Sequence, residues 1–214
     1  MAGNEEVFPR AQRIASSLEQ AVLWGTRHWL GVLNVALGVY VLLPVLAPVF
    51  MAWGWERPGR MIYTAYIPFC HQLPERSFFL FGPKIAYSLS ELQSHGLDPG
   101  TPIWARRFFL GSPTLGYKMA FCQRDFALYG IMWLGGVVFA LSGRRWRPLP
   151  WRWFMVAWLP MALDGGTQLL GFRESTWLLR VVTGALAGGA FVWTMYPRLE
   201  QVLSDFSQVN SNAP

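Results

Sequence analysis

Cys70-His71-Gln72 and Cys122-Gln123-Arg124-Asp125 are the two stretches of this sequence best equipped for chemistry. They hold its 2 cysteines, each close to side chains that bind metals or tune a thiol. Thiolate and imidazole are preferred zinc ligands, and Asp125, Asp164 or a water can fill a fourth position. Cys70, His71 and Cys122 with one open position would make a catalytic arrangement. Two other readings fit the same residues. A Cys70–Cys122 disulfide would staple two segments outside the cytoplasm, with no cofactor, or a cysteine would serve as a reactive thiol. The spacing contains no CxxC element, and adjacent Cys and His both chelate only where the backbone turns.

Asp164 and Gln168 are four apart and share one helix face. An acid inside a membrane span costs about 2.5–3.5 kcal/mol on insertion scales. Asp164 therefore calls for a partner such as Arg173, Arg180 or a cation, or for a catalytic role. A salt bridge between the third and fourth spans is the structural alternative. Asp125 is a second candidate acid, on one helical face with Cys122 and Tyr129, and equally a candidate N-cap. Arg76, Arg124, Arg173 and Arg180, with Gln168, are the expected contacts to an anionic substrate; scattered snorkelling arginines are the alternative. Lys84, Lys118, Arg106 and Arg107 belong to the same basic region. Asn34, alone in an apolar run, is expected to make a hydrogen bond between helices.

These residues must be positioned by membrane-embedded helices. Of 214 residues 53% are hydrophobic and only 14% charged, against about a quarter charged in soluble domains. Apolar runs near the 20 residues needed to cross a bilayer fall at 29–53, 126–142, 151–171 and 177–196. The expected class is an all-α integral membrane protein with about four transmembrane helices. A re-entrant or interfacial cap, 54–125, lies between helices 1 and 2. Residues 1–28 read as an amphipathic segment on the membrane surface, and 197–214 as a polar tail. The net charge of +6 is spread between apolar runs rather than over one solvated face, which excludes a nucleic-acid domain and favours the bilayer and anionic lipids as partners. The Arg144-Arg145-Trp146-Arg147 loop lacks acids, so the positive-inside rule places it in the cytoplasm. Both termini are then cytoplasmic in a multi-pass protein of the cell membrane, with the cap and its cysteines outside.

Phe69-Cys70-His71-Gln72 with Glu75-Arg76-Ser77, Cys122-Gln123-Arg124-Asp125 with Tyr129, and Asp164-Gly165-Gly166-Thr167-Gln168 leading through Arg173-Glu174-Ser175 to Arg180 form an ordered set. Together they resemble a family of small bacterial and archaeal membrane proteins of unknown function, over roughly residues 30 to 190. The resemblance implies one shared polar site built from Cys70, His71, Cys122, Arg124, Asp125, Asp164, Gln168, Arg173, Glu174 and Arg180. It names no reaction, and it shifts the balance toward a metal, because a bare disulfide needs neither a neighbouring His nor an intramembrane acid. The leading expectation is a zinc site acting on an anionic, lipid-linked substrate by hydrolysis or transfer. A disulfide-stapled subunit of a larger membrane complex, or an ion or headgroup carrier working as a homo-oligomer, are the alternatives.

Overall fold

The computed structural model describes residues 7–211, with side chains from 12 to 208. Residues 1–6 of the expected surface segment and 212–214 of the expected tail lie outside the described residues. The chain runs as α1 (Val7–Ala52), α2 (Glu56–Ala65), β1 (Ser77–Leu80), α3 (Leu89–Ser94), β2 (Gly111–Ser112), β3 (Gly116–Cys122), α4 (Gln123–Leu141), α5 (Trp151–Leu169) and α6 (Trp177–Ser211). The fold is mostly helical. Gln12–Ala52, Gln123–Leu141 and Trp177–Gln208 are long and apolar enough to cross a membrane. α5 has 19 residues too, but Trp151, Trp153, Trp158, Arg152 and Asp164 leave it short of that hydropathy.

Two helices run past the bounds of the expected spans. The 46 residues of α1 measure about 69 Å at the rise of an α-helix, so the surface segment from Val7 onward and the first span are one continuous helix. α6 likewise runs 35 residues through the segment expected as a tail. Glu200 holds it there, accepting from Trp29 Nε1 at 2.8 Å and pairing with Arg144 at 3.4 Å.

The cap corrects the all-α expectation. It contains a three-stranded antiparallel sheet in the order β1-β3-β2. Ser77 lies opposite Cys122, and Gly111 and Ser112 opposite Tyr117 and Gly116. Gly111 (φ 106) and Gly116 (φ 83) occupy the left-handed region that this tight return needs. α3 begins one residue after Ser88, which forms a reciprocal capping box with Glu91.

α4, α5 and α6 pack side by side. At the cap end Arg124 on α4 meets Asp164 on α5; at the far end the Leu149 N–H donates to Trp193 O at 3.1 Å and Arg198 donates to Leu149 O at 2.9 Å. The Gly184/Gly188 stripe of α6 lets α4 approach closely: a Cβ at Gly184 would lie 2.7 Å from Arg124 O, and one at Gly188 would collide with Leu128 O. Main-chain oxygen cannot swing aside. Gly188→Val should therefore destabilise the bundle by about 1–3 kcal/mol, read as a lower melting temperature in detergent. An unchanged melt would show that the helices slide apart freely. Asn34 makes no interhelical hydrogen bond; its Oδ1 is buried without a partner against Gly136.

Candidate functional site

The β1–β3 register and the start of α4 bring the two cysteine stretches together. Cys70 ends the turn after α2, its N–H donating to Tyr66 O at 3.0 Å. Cys122 ends β3 and caps α4, its Sγ accepting from the Asp125 N–H at 3.4 Å, while its own N–H donates to Cys70 Sγ at 3.2 Å. The N-cap expected of Asp125 thus belongs to Cys122, which frees the Asp125 carboxylate. Both cysteines are free thiols. Cys70 Sγ, Cys122 Sγ and an Asp125 carboxylate oxygen all lie within 4.8 Å of one another. His71 is exposed and stands on the rim of the same cavity, outside that trio.

Beneath the thiols the wall is aromatic. Tyr40, Tyr66, Phe121 and Tyr129 form edge-to-face and stacked pairs around Cys70 and Cys122. The contact with Cys70, reinforced by burial, holds the Cys122 thiol well above its ordinary pKa. Reactive thiols need the opposite shift, so this setting disfavours Cys122 as a free nucleophile.

The turn presenting Cys70 and His71 is braced from inside the cap. Gln72 adopts φ 51, unusual for a side-chain-bearing residue, which turns the backbone just after His71. Gln72 is buried, donating from Nε2 to Tyr63 O at 2.8 Å. The fully buried Lys118 donates from Nζ to Gln72 O at 2.5 Å and Arg107 O at 2.6 Å. Sequence reasoning placed Lys118 in the basic region without seeing this role. Its signal was a lysine near the start of an otherwise apolar run, Tyr117 to Cys122.

Burial pulls the Lys118 pKa from 10.5 down to about 7. Above that value the folded chain has released a proton that the unfolded chain still holds, so stability rises with pH. The melting temperature should increase from about pH 7 upward, and Lys118→Met should flatten that slope, since both chains share the same thiols. An equal slope in the variant would show that Lys118 keeps its charge when folded.

The acidic and basic residues sort into two groups. Asp164, only 2% exposed, accepts from Arg124, from Arg173 at 2.7 Å and from Ser175 at 2.9 Å. This ion group ties α5 to α4 and to the α5–α6 loop, and Arg124 reaches it across Gly165. Arg180, the other expected partner of Asp164, instead donates to Gln123 Oε1 at 3.0 Å, Glu75 O at 3.2 Å and Glu174 at 3.4 Å. Glu174 also accepts from Gln168 at 2.9 Å and Arg76 at 3.2 Å. A cavity of about 260 Å³ joins these groups to the cysteines, lined by Arg76, Arg124, Gln168 and Arg180 with Cys70, Cys122 and Asp125. Arg180 also borders a neighbouring cavity of about 410 Å³ bounded by Glu75, Tyr87 and Trp177.

Comparison with known proteins agrees with the membrane reading. Residues 105–194 match the family model described as predicted membrane protein DUF2085. An uncharacterized protein of Methanocaldococcus jannaschii, MJ1492, is 30% identical over 166 residues, covering 74% of this chain and 85% of that protein. No solved structure matches the chain significantly.

Proposed function

The chain belongs to the DUF2085 family of predicted membrane proteins, and on that premise we propose that it is a four-span protein of the cell membrane whose cap-end pocket binds zinc beside an anion-binding arginine cluster. The observation carrying the metal half is the trio of Cys70, Cys122 and Asp125 ligand atoms within 4.8 Å. Ligands on a tetrahedral zinc with bonds near 2.3 Å stand about 3.8 Å apart, so the trio need close by no more than roughly 1 Å. The Asp125 carboxylate accepts no hydrogen bond from the described residues, which leaves it free to ligate. Two thiolates and one carboxylate are a donor set suited to a borderline-soft cation. Three protein ligands would leave one coordination position open on a bound zinc, which would supply Lewis-acid chemistry there. His71 on the rim would exchange a proton there or ligate after a side-chain turn.

The fourth span is α5. α4 and α6 are apolar enough to cross, and α5 runs from the Leu149 end back to the Arg124 end, so it traverses the same layer. Met155, Val156, Leu159 and Leu163 on its outer side are exposed, as lipid contact requires. Four spans put both termini on the side of Arg144, Arg145 and Arg147, which the positive-inside rule makes cytoplasmic. The pocket then opens outside, where Arg76, Arg180 and Gln168 hold an anionic group of a substrate or lipid. Asp164, expected as a catalytic acid, serves here as the counter-ion that fixes the pocket wall.

Zinc binding should protect both cysteines from alkylation by a small maleimide in the purified protein, and a chelator should restore labelling. Equal labelling with and without zinc would overturn the reading.

A further inference from the structure

Glu174 has an unusual position for a surface acid. Its side chain is 70% exposed, yet it accepts from three donors of the pocket wall, Arg76, Gln168 and Arg180. Gln168 and Arg180 are themselves 7% and 5% exposed. The donors are built into the fold, whereas the acceptor sits on the loop between α5 and α6. Its arginine contacts, 3.2 and 3.4 Å, are longer than the 2.7–2.9 Å of a well-formed charge-assisted bond. The Arg173–Asp164 pair at 2.7 Å shows what a settled ion pair looks like in this same protein.

One carboxylate also leaves the cluster short of acceptors. Arg76 Nε and Arg180 Nε are buried without a partner, and two guanidinium charges face one carboxylate charge. A phosphate brings three acceptor oxygens and up to two negative charges, and matches arginine forks edge-on. The neighbouring cavity of about 410 Å³ beside Arg180, Tyr87 and Trp177 has room for the rest of a headgroup. The exposed apolar side chains Leu169, Leu170 and Phe172 border the same loop, an apolar neighbour for acyl chains.

We propose that Arg76, Gln168 and Arg180 form a phosphate-headgroup site, and that Glu174 is an internal place-holder which the phosphate displaces. This rests on the anion-binding half of the function proposed above. A site blocked most of the time binds more weakly by the fraction of time it is open. Removing the charge of the place-holder strengthens binding, where loss of a merely structural contact would weaken it.

The test uses the full chain in phosphatidylcholine nanodiscs, titrated with short-chain phosphatidic acid and, separately, with inorganic phosphate. Glu174→Gln should bind at least one probe about tenfold more tightly than wild type, and Arg76→Gln should bind it more weakly. A gain confined to phosphatidic acid supports a lipid source for the phosphate, and a gain with inorganic phosphate supports a free one. Binding without any gain in Glu174→Gln overturns the place-holder role alone. No binding of either probe to wild type or Glu174→Gln, with melts showing both folded, overturns the anion site itself and leaves the metal reading to its own test.

Discussion

Asp164→Asn is expected to cost about 3–5 kcal/mol of stability, the range for removing one partner of a buried ion group. Asp164 on α5 gathers two other segments: the start of α4 through Arg124, and the α5–α6 loop through Arg173 and Ser175. Asparagine keeps the shape but leaves two guanidinium groups without their counter-charge. Arg124 suffers most, since its side chain is only 18% exposed and its Nε already lacks a partner. Arg173, 44% exposed, can turn to water, so Arg173→Gln should cost no more than about 1 kcal/mol. Unfolding in mixed detergent micelles measures both. Equal small losses would mean that Asp164 is not structural and would reopen its reading as a titrating or catalytic acid.

Cys122→Ser should weaken zinc binding by about two orders of magnitude or more, because a three-ligand site loses a thiolate from an affinity that is largely metal–sulfur. Serine also remains a competent helix cap, so α4 should start in the same place and the melt of the metal-free protein should change little. That separation matters. A variant that loses metal and folding together would point to cysteine packing against Phe121 and Tyr129 rather than to ligation. Asp125→Asn should weaken binding less, since amide oxygen is a poorer ligand than carboxylate, and the cap at Cys122 is untouched.

The membrane helices were legible because crossing a bilayer demands long apolar runs, and α1, α4 and α6 carry them. The cysteine pair and the Asp164–Gln168 face were legible for a related reason: polar groups beside apolar runs stand out. The sheet was not. β1 and β2 are four and two residues long, below the length at which alternation separates a strand from an apolar patch. Its decisive pairing, Ser77 with Cys122, joins residues far apart in the chain. The helical extension of α6 was hidden because Leu199, Val202 and Phe206 are diluted by polar neighbours, and its anchor Glu200 acts through Trp29 and Arg144. The bracing roles of Lys118 and Gln72 escaped notice because their work is done on backbone carbonyls, which no side-chain pattern announces. The arginines were found as a set, but only three dimensions divide them between Asp164 and Glu174.

The most direct test of the zinc site is elemental analysis of the full chain purified without chelator, paired with its intact mass under non-reducing conditions. A zinc site in Cys70, Cys122 and Asp125 predicts about one zinc per chain and a mass carrying both thiol hydrogens after acid release of the metal. A chain that lacks bound metal and weighs two hydrogens less would contradict it and establish the disulfide in its place.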